Sequence, residues 1–110
     1  MRVWLIGAEQ RGTEAIRQLQ KNVDIELVVS DTIPQPKAVR ENVVAQVDYV
    51  EQVTSLNVNK LARRIRPDLI LIDTGAEQRN LGRVSGGTAL SDALVGEIAA
   101  ICDYPCLILY

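Results

Sequence analysis

Apolar runs and helically spaced apolar stripes take turns along this chain. Arg2 to Ile6 (RVWLI) is a short apolar run that closes on Gly7 and reads as a buried strand. Thr13 to Lys21 follows with helix-forming residues, and Ala15, Ile16 and Leu19 share one helical face before Asn22 ends it. Asp24 to Ser30 is rich in β-branched residues and closes on Asp31. Two prolines then break regular structure between Thr32 and Pro36, and Lys37 to Asn42 has room for one helical turn. The valine-rich stretch from Val43 to Val53 predicts a third strand, strongest over Asp48 to Val53.

In the second half, Val58, Leu61, Ala62 and Ile65 stand at i, i+3, i+4 and i+7, the spacing of one buried helical stripe. Ser55 or Asn57 can cap that helix, and Pro67 stops it. Leu69 to Ile72 is an unbroken apolar run ending at Asp73, as in a central parallel strand covered on both faces. Thr74 to Thr88 is polar and carries glycines, so it is expected to be a long loop. Leu90, Ala93, Leu94, Ile98 and Ile101 mark a last helix, and Pro105 to Tyr110 a last strand.

Strand–helix alternation of this kind implies a parallel sheet with right-handed crossovers. The expected architecture is an α/β, Rossmann-like three-layer domain with five parallel strands in the order 3-2-1-4-5. A flavodoxin-like order, 2-1-3-4-5, is the alternative. The short turn between the second and third strands, in place of a full helix, favours the first. Ligands of such sheets bind beyond the carboxyl ends of the strands where the order reverses, here between strands one and four.

Composition narrows the class. With 110 residues, 47% of them hydrophobic, the chain has the size and apolar content of a single domain over residues 1–110. A net charge of −2 with both signs interspersed gives no basic stripe, so nucleic acid is not expected as a partner. No run is long and apolar enough to span a membrane, and the first strand begins almost at once where a signal peptide would stand. A cytoplasmic protein is the expectation. There is no histidine, which removes the Ser-His and Cys-His triads. Cys102 and Cys106, spaced C-x3-C, are the only cysteines and make a poor zinc site by themselves. They read as core or near-core thiols, with a redox or metal role as the other reading.

Chemistry can gather in four places. The first loop runs Gly7-Ala8-Glu9-Gln10-Arg11-Gly12. Against the dinucleotide fingerprint G-x-G-x-x-G, Gly7 and Gly12 match the outer glycines, while Glu9 brings bulk and negative charge to the place of the middle one. Asp31, at the end of the second strand, is near the position of an acid that binds a ribose hydroxyl. The second place is Gly75-Ala76-Glu77-Gln78-Arg79, which repeats residues 7–11 letter for letter directly after the fourth strand. In the expected strand order both copies reach one crevice. Arg11, Arg79 and Arg83 can then meet one anionic ligand, or Glu9 and Glu77 can pair with the arginines and close the cleft. Coincidence in two polar segments is the third reading. Ser85-Gly86-Gly87-Thr88 offers either backbone N–H groups for a phosphate or a loop capped by Thr88 or Ser91. Finally, Pro67 to Asp73 resembles the strand of response-regulator receivers that carries the phosphorylated aspartate. Asp73 reads either as that acceptor or as a structural acid at a strand end.

The runs VWLIGAEQRGTEAI, VVSD and PDLILID together resemble the amino-terminal NAD(P)-binding domain of glucose–fructose oxidoreductase/inositol dehydrogenase-type proteins. The resemblance spans nearly the whole chain. It implies a pyrophosphate on Gly7, Ala8 and Gly12, a ribose near Asp31, and NAD(P) as cofactor. That family carries a further catalytic domain and a lysine motif after the fifth strand, and neither lies within residues 1–110.

The leading expectation is therefore a stand-alone Rossmann-like domain binding a nucleotide-type or other anionic small ligand in a regulatory or accessory role. Its site would comprise Gly7, Ala8, Glu9, Arg11, Gly12, Asp31, Asp73, Gly75 and Arg79. The alternative is a protein-interaction or homodimerisation module that keeps the fold with a degenerate site. An enzyme that borrows groups from a partner subunit is the third, with Glu9, Asp31, Asp73 and Glu77 as its only acid–base candidates. The position of Glu9 discriminates: turned inward onto an arginine, it plugs the site.

Overall fold

The computed structural model describes residues 1–81 and 87–110, and of residues 87 and 88 the backbone alone. Its elements run β1 (Arg2–Ile6), α1 (Gln10–Leu19), β2 (Glu26–Asp31), α2 (Lys37–Arg40), β3 (Tyr49–Val50), α3 (Val58–Ile65), β4 (Leu69–Asp73), α4 (Thr74–Leu81), α5 (Gly87–Ile101) and β5 (Cys106–Leu109). All strands pair in parallel in the order β3-β2-β1-β4-β5. This is the Rossmann-like α/β sheet expected, with its reversal between β1 and β4. The register sets Leu5 beside Val29 on one side and Leu71 on the other. Among the described residues no helix is long and apolar enough to cross a membrane.

The central strands read as continuous apolar runs because both faces of the sheet are covered. On one face Trp4, Ile70 and Ile72 pack under Val58, Leu61, Ala62 and Ile65 of α3 and under Val95 and Ile98 of α5. On the other, Val3, Leu5, Val29 and Leu71 pack with Ile16 of α1 and Ala38 of α2. Trp4 is fully buried, and its indole N–H donates to Ser30 Oγ at 2.9 Å, so the one polar atom of that ring is satisfied. Each large buried side chain contributes about 1.5–3 kcal/mol, and the α3 stripe holds three of them. The helix ends where Arg66 enters the left-handed region (φ 56°) just before Pro67.

Three expectations need correction. Helix α1 begins at Gln10 and ends at Leu19, so it starts and stops earlier than the Thr13–Lys21 stretch. The third strand is two residues long, pairing Tyr49 and Val50 with Ser30 and Asp31. Upstream, Asn42 turns the chain at φ 58°, and the N–H groups of Val43 and Val44 go to Ala38 O, so those valines cover the core and add no ladder. The stretch after β4 is a helix over Thr74–Leu81 where a loop was expected. Its apolar residues are too few to show a stripe, but Asp73 Oδ1 accepts the Gly75 N–H at 2.7 Å and caps its first turn. The Arg83 reading and the Ser85-Gly86-Gly87-Thr88 phosphate reading lie outside the described residues.

Candidate functional site

The β1–α1 turn, the ends of β2 and β4 and the start of α4 meet at the strand-order reversal. Gly7 makes this possible. Its φ is +89°, and a Cβ there would lie 2.6 Å from the Cβ of Ala76 on α4. A Cβ on Gly12 would stand 2.4 Å from Gly7 O and 3.0 Å from Asp73 Oδ2. Both glycines are thus required for close approach within the protein itself.

In an open dinucleotide site the N–H groups of this turn face a phosphate. Here they face protein. Gly7 N–H donates to Ser30 O at 2.7 Å, and Ala8 N–H to Asp31 Oδ2 at 2.9 Å. Glu9 and Gly12 both donate to Asp73 Oδ2, at 2.9 and 2.8 Å. The Asp73 side chain, in a residue only 1% exposed, therefore accepts three main-chain N–H groups, from Glu9, Gly12 and Gly75. Burial pushes its carboxyl above the ordinary carboxylate range, while those three bonds and the nearby Arg11 guanidinium pull the other way.

The second closure is ionic. Arg79, one turn and a half into α4, reaches over the crevice. Its Nη1 donates to Glu9 Oε1 at 2.5 Å, and its Nη2 bonds Asp31 Oδ1 and lies 3.2 Å from Thr32 Oγ1. Arg40 of α2 adds a looser pair to Glu9 Oε2 at 3.6 Å. Desolvation works against the guanidinium's proton, but the bonds to Asp31 and Glu9 outweigh it and raise its proton affinity. Beneath, the crevice lined by Ile6, Asp31, Ile72, Glu77 and Asn80 keeps a volume of about 20 Å³, counted as space for the centre of a water. That is room for about one water, where a small-molecule site offers several hundred Å³. Burial also raises the Glu77 carboxyl, against bonds and charge from Asn80 and Arg79.

All nine expected site residues gather at this reversal. The two GAEQR copies do share the crevice, but not as equals: residues 7–9 are turn, whereas Gly75 to Arg79 are helix. The arginine of the second copy holds the glutamate of the first, and Arg11 sits beside Gly75 near Asp73. Thr32, Arg40 and Asn80 belong to the same network and have no motif that marks them. The role of Asp73 as acceptor for the α1 N-terminus was missed too. Its one signal in the sequence is an acid ending the strand next to the glycine turn.

Away from the crevice, Cys102 and Cys106 are half-buried free thiols packed on the α3–α5 core. Burial, with Cys102 nearby, pushes the Cys106 thiol up to about 11, which suppresses the reactive thiolate. Among the described residues no group of three or more acidic, cysteine or histidine side chains is placed to hold a metal ion. Comparison with family models, with curated proteins and with solved structures finds no match to this chain.

Proposed function

We propose that this chain is a protein-interaction module built on a nucleotide-binding fold whose phosphate site is filled by its own carboxylate. One observation carries the reading: Asp73 occupies the N–H groups of Glu9 and Gly12, the place a pyrophosphate would take. Support comes from Arg79, which covers Asp31 at the position the resemblance gives to a ribose. Glu9 is turned inward onto that arginine, the arrangement of a plugged cleft. A nucleotide would have to displace a charge-assisted network and bring its own negative charge beside Glu9 and Asp73. The role is accessory, with no catalytic step assigned to the crevice acids. A cytoplasmic location goes with this reading, since two unpaired thiols suit a reducing compartment.

The test is thermal denaturation with NAD, NADP, ATP, AMP and CoA, each at about 1 mM. A ligand present at 100 times its Kd stabilises by about 2.7 kcal/mol, or roughly 10 °C for a domain of this size. No shift with any of them is expected. A shift of several degrees with one, abolished by Arg79→Ala, overturns the closed-crevice reading and restores nucleotide binding.

A further inference from the structure

The two edges of the sheet are built differently. Strand β3 is two residues long and flanked by Asp48 and Glu51, a short charged edge of the kind that resists pairing. Strand β5 continues into Tyr110 as Cys-Leu-Ile-Leu-Tyr, with no charged side chain, proline or glycine. In its ladder with β4, Pro105 O accepts from Ile70 N–H at 2.8 Å, and Leu109 O accepts from Thr74 Oγ1 at 2.8 Å. The odd-numbered residues thus aim their main-chain groups at β4. By alternation, those of Cys106, Ile108 and Tyr110 point away from the sheet. Beside them Leu107 is 57% and Tyr110 70% exposed.

We infer that β5 is the seam of a homodimer, pairing antiparallel with β5 of a second copy about a twofold axis through Ile108. This rests on the interaction-module reading and names its partner. The occupant follows from the strand's own symmetry. Centred on Ile108, antiparallel pairing sets Ile108 against Ile108 and Cys106 against Tyr110, the residues whose N–H and C=O groups face outward. On the other side of the sheet the same register sets Leu107 against Leu109, apolar on apolar, in both halves. A twofold contact uses one patch twice and must complement itself, and this strand does so in its apolar side chains, none of which would bring like charges together, and in hydrogen-bond phase. A shift by one residue would set inward-facing main-chain groups at the seam and lose the ladder. The seam joins the five strands of each copy into one sheet. Because the paired segment is only five residues long, a weak, concentration-dependent dimer is the form expected.

Sedimentation velocity of the full chain over about 1–500 µM tests this, a range chosen for weak interfaces. Wild type is expected to shift from monomer to dimer within it. Leu107→Lys places a charge at an exposed position opposite Leu109 of the second copy. Tyr110→Pro removes an outward-facing N–H and leaves the β4 ladder intact. Each is expected to weaken dimerisation at least tenfold with an unchanged far-UV spectrum and, at about 1 µM where the wild type is monomeric, an unchanged melting temperature, and one well-folded variant suffices for the comparison. A wild type that stays monomeric throughout overturns the seam, as does a dimer that neither variant weakens. Neither result bears on the nucleotide screen. A nucleotide shift in the screen overturns the closed crevice and leaves the dimer measurement standing.

Discussion

Replacing Asp73 by alanine tests the closed crevice at its centre. The carboxylate accepts N–H groups from Glu9, Gly12 and Gly75 at 2.9, 2.8 and 2.7 Å, in a residue 1% exposed. A bond to a charged acceptor contributes about 1.5–3 kcal/mol net, so three come to about 5 kcal/mol at the low end. Part is returned. The lost charge was itself held in a site that disfavours ionisation, and water can enter the space left by the side chain. A net loss of about 3 kcal/mol remains, which lowers the midpoint of melting by about 12 °C but leaves a domain of ordinary stability folded. The second part of the test concerns what the substitution uncovers. With the carboxylate gone, the N–H groups of Glu9 and Gly12 at the start of α1 become a free anion site. Acetate or phosphate at about 0.1 M is expected to restore several degrees to Asp73→Ala while wild type, measured in parallel, stays within about 1 °C. The assay is differential scanning fluorimetry against chloride at matched ionic strength. Equal stability of variant and wild type would refute the acceptor role. An equal anion response would refute the claim that Asp73 fills the phosphate site.

The remaining expectations concern the same network. Gly12→Ala is expected to cost at least about 3 kcal/mol, because its Cβ meets Gly7 O at 2.4 Å, and no helix propensity offsets a backbone clash. Gly96→Ala, in α5 with nothing within 4 Å of the added Cβ, is expected to stabilise by about 0.5–1 kcal/mol. Urea unfolding of the pair checks both. Arg79→Lys keeps the charge but cannot fork between Glu9 and Asp31, and a loss of about 1–2 kcal/mol in the same assay is expected. For pH, the raised Asp73 carboxyl means that the folded chain holds its proton above the ordinary 3.8. In the window between 3.8 and the folded value the native state binds more protons than the unfolded, so this group makes stability fall as pH rises, with no further change above it. Glu77 acts in the same direction, so the measurement is the difference between wild type and Asp73→Asn from about pH 4 to pH 7. An unchanged difference across that range would count against the shift.

What the sequence made legible, and what it hid, divides along physical lines. The strands could be read because burial on both faces leaves unbroken apolar runs, and their order because a short turn, here the four-residue α2, replaces a full helix between the second and third. Helix α4 was hidden because a helix lying across a sheet's end, held by a capping Asp73 and by Arg79, needs no apolar stripe. The third strand was overread because valines can cover a core from a loop as well as from a ladder. The crevice was legible as a place and not as a state. A glycine turn at a helix start presents free N–H groups, and the pattern is silent on whether a phosphate, a water or a carboxylate of the same chain meets them. Glu9 was the one visible warning, since a negative side chain in the middle of the fingerprint repels a phosphate and is best accommodated in a closed crevice beside a cation. Arg79, seventy residues away in sequence and fixed there by the register of β1 with β4, supplies it. A glycine turn of this kind is therefore under steric constraint from the protein itself, whether or not a phosphate is ever bound. Gly7 and Gly12 are needed here for Ala76 and Asp73, and their presence alone is no evidence of a nucleotide.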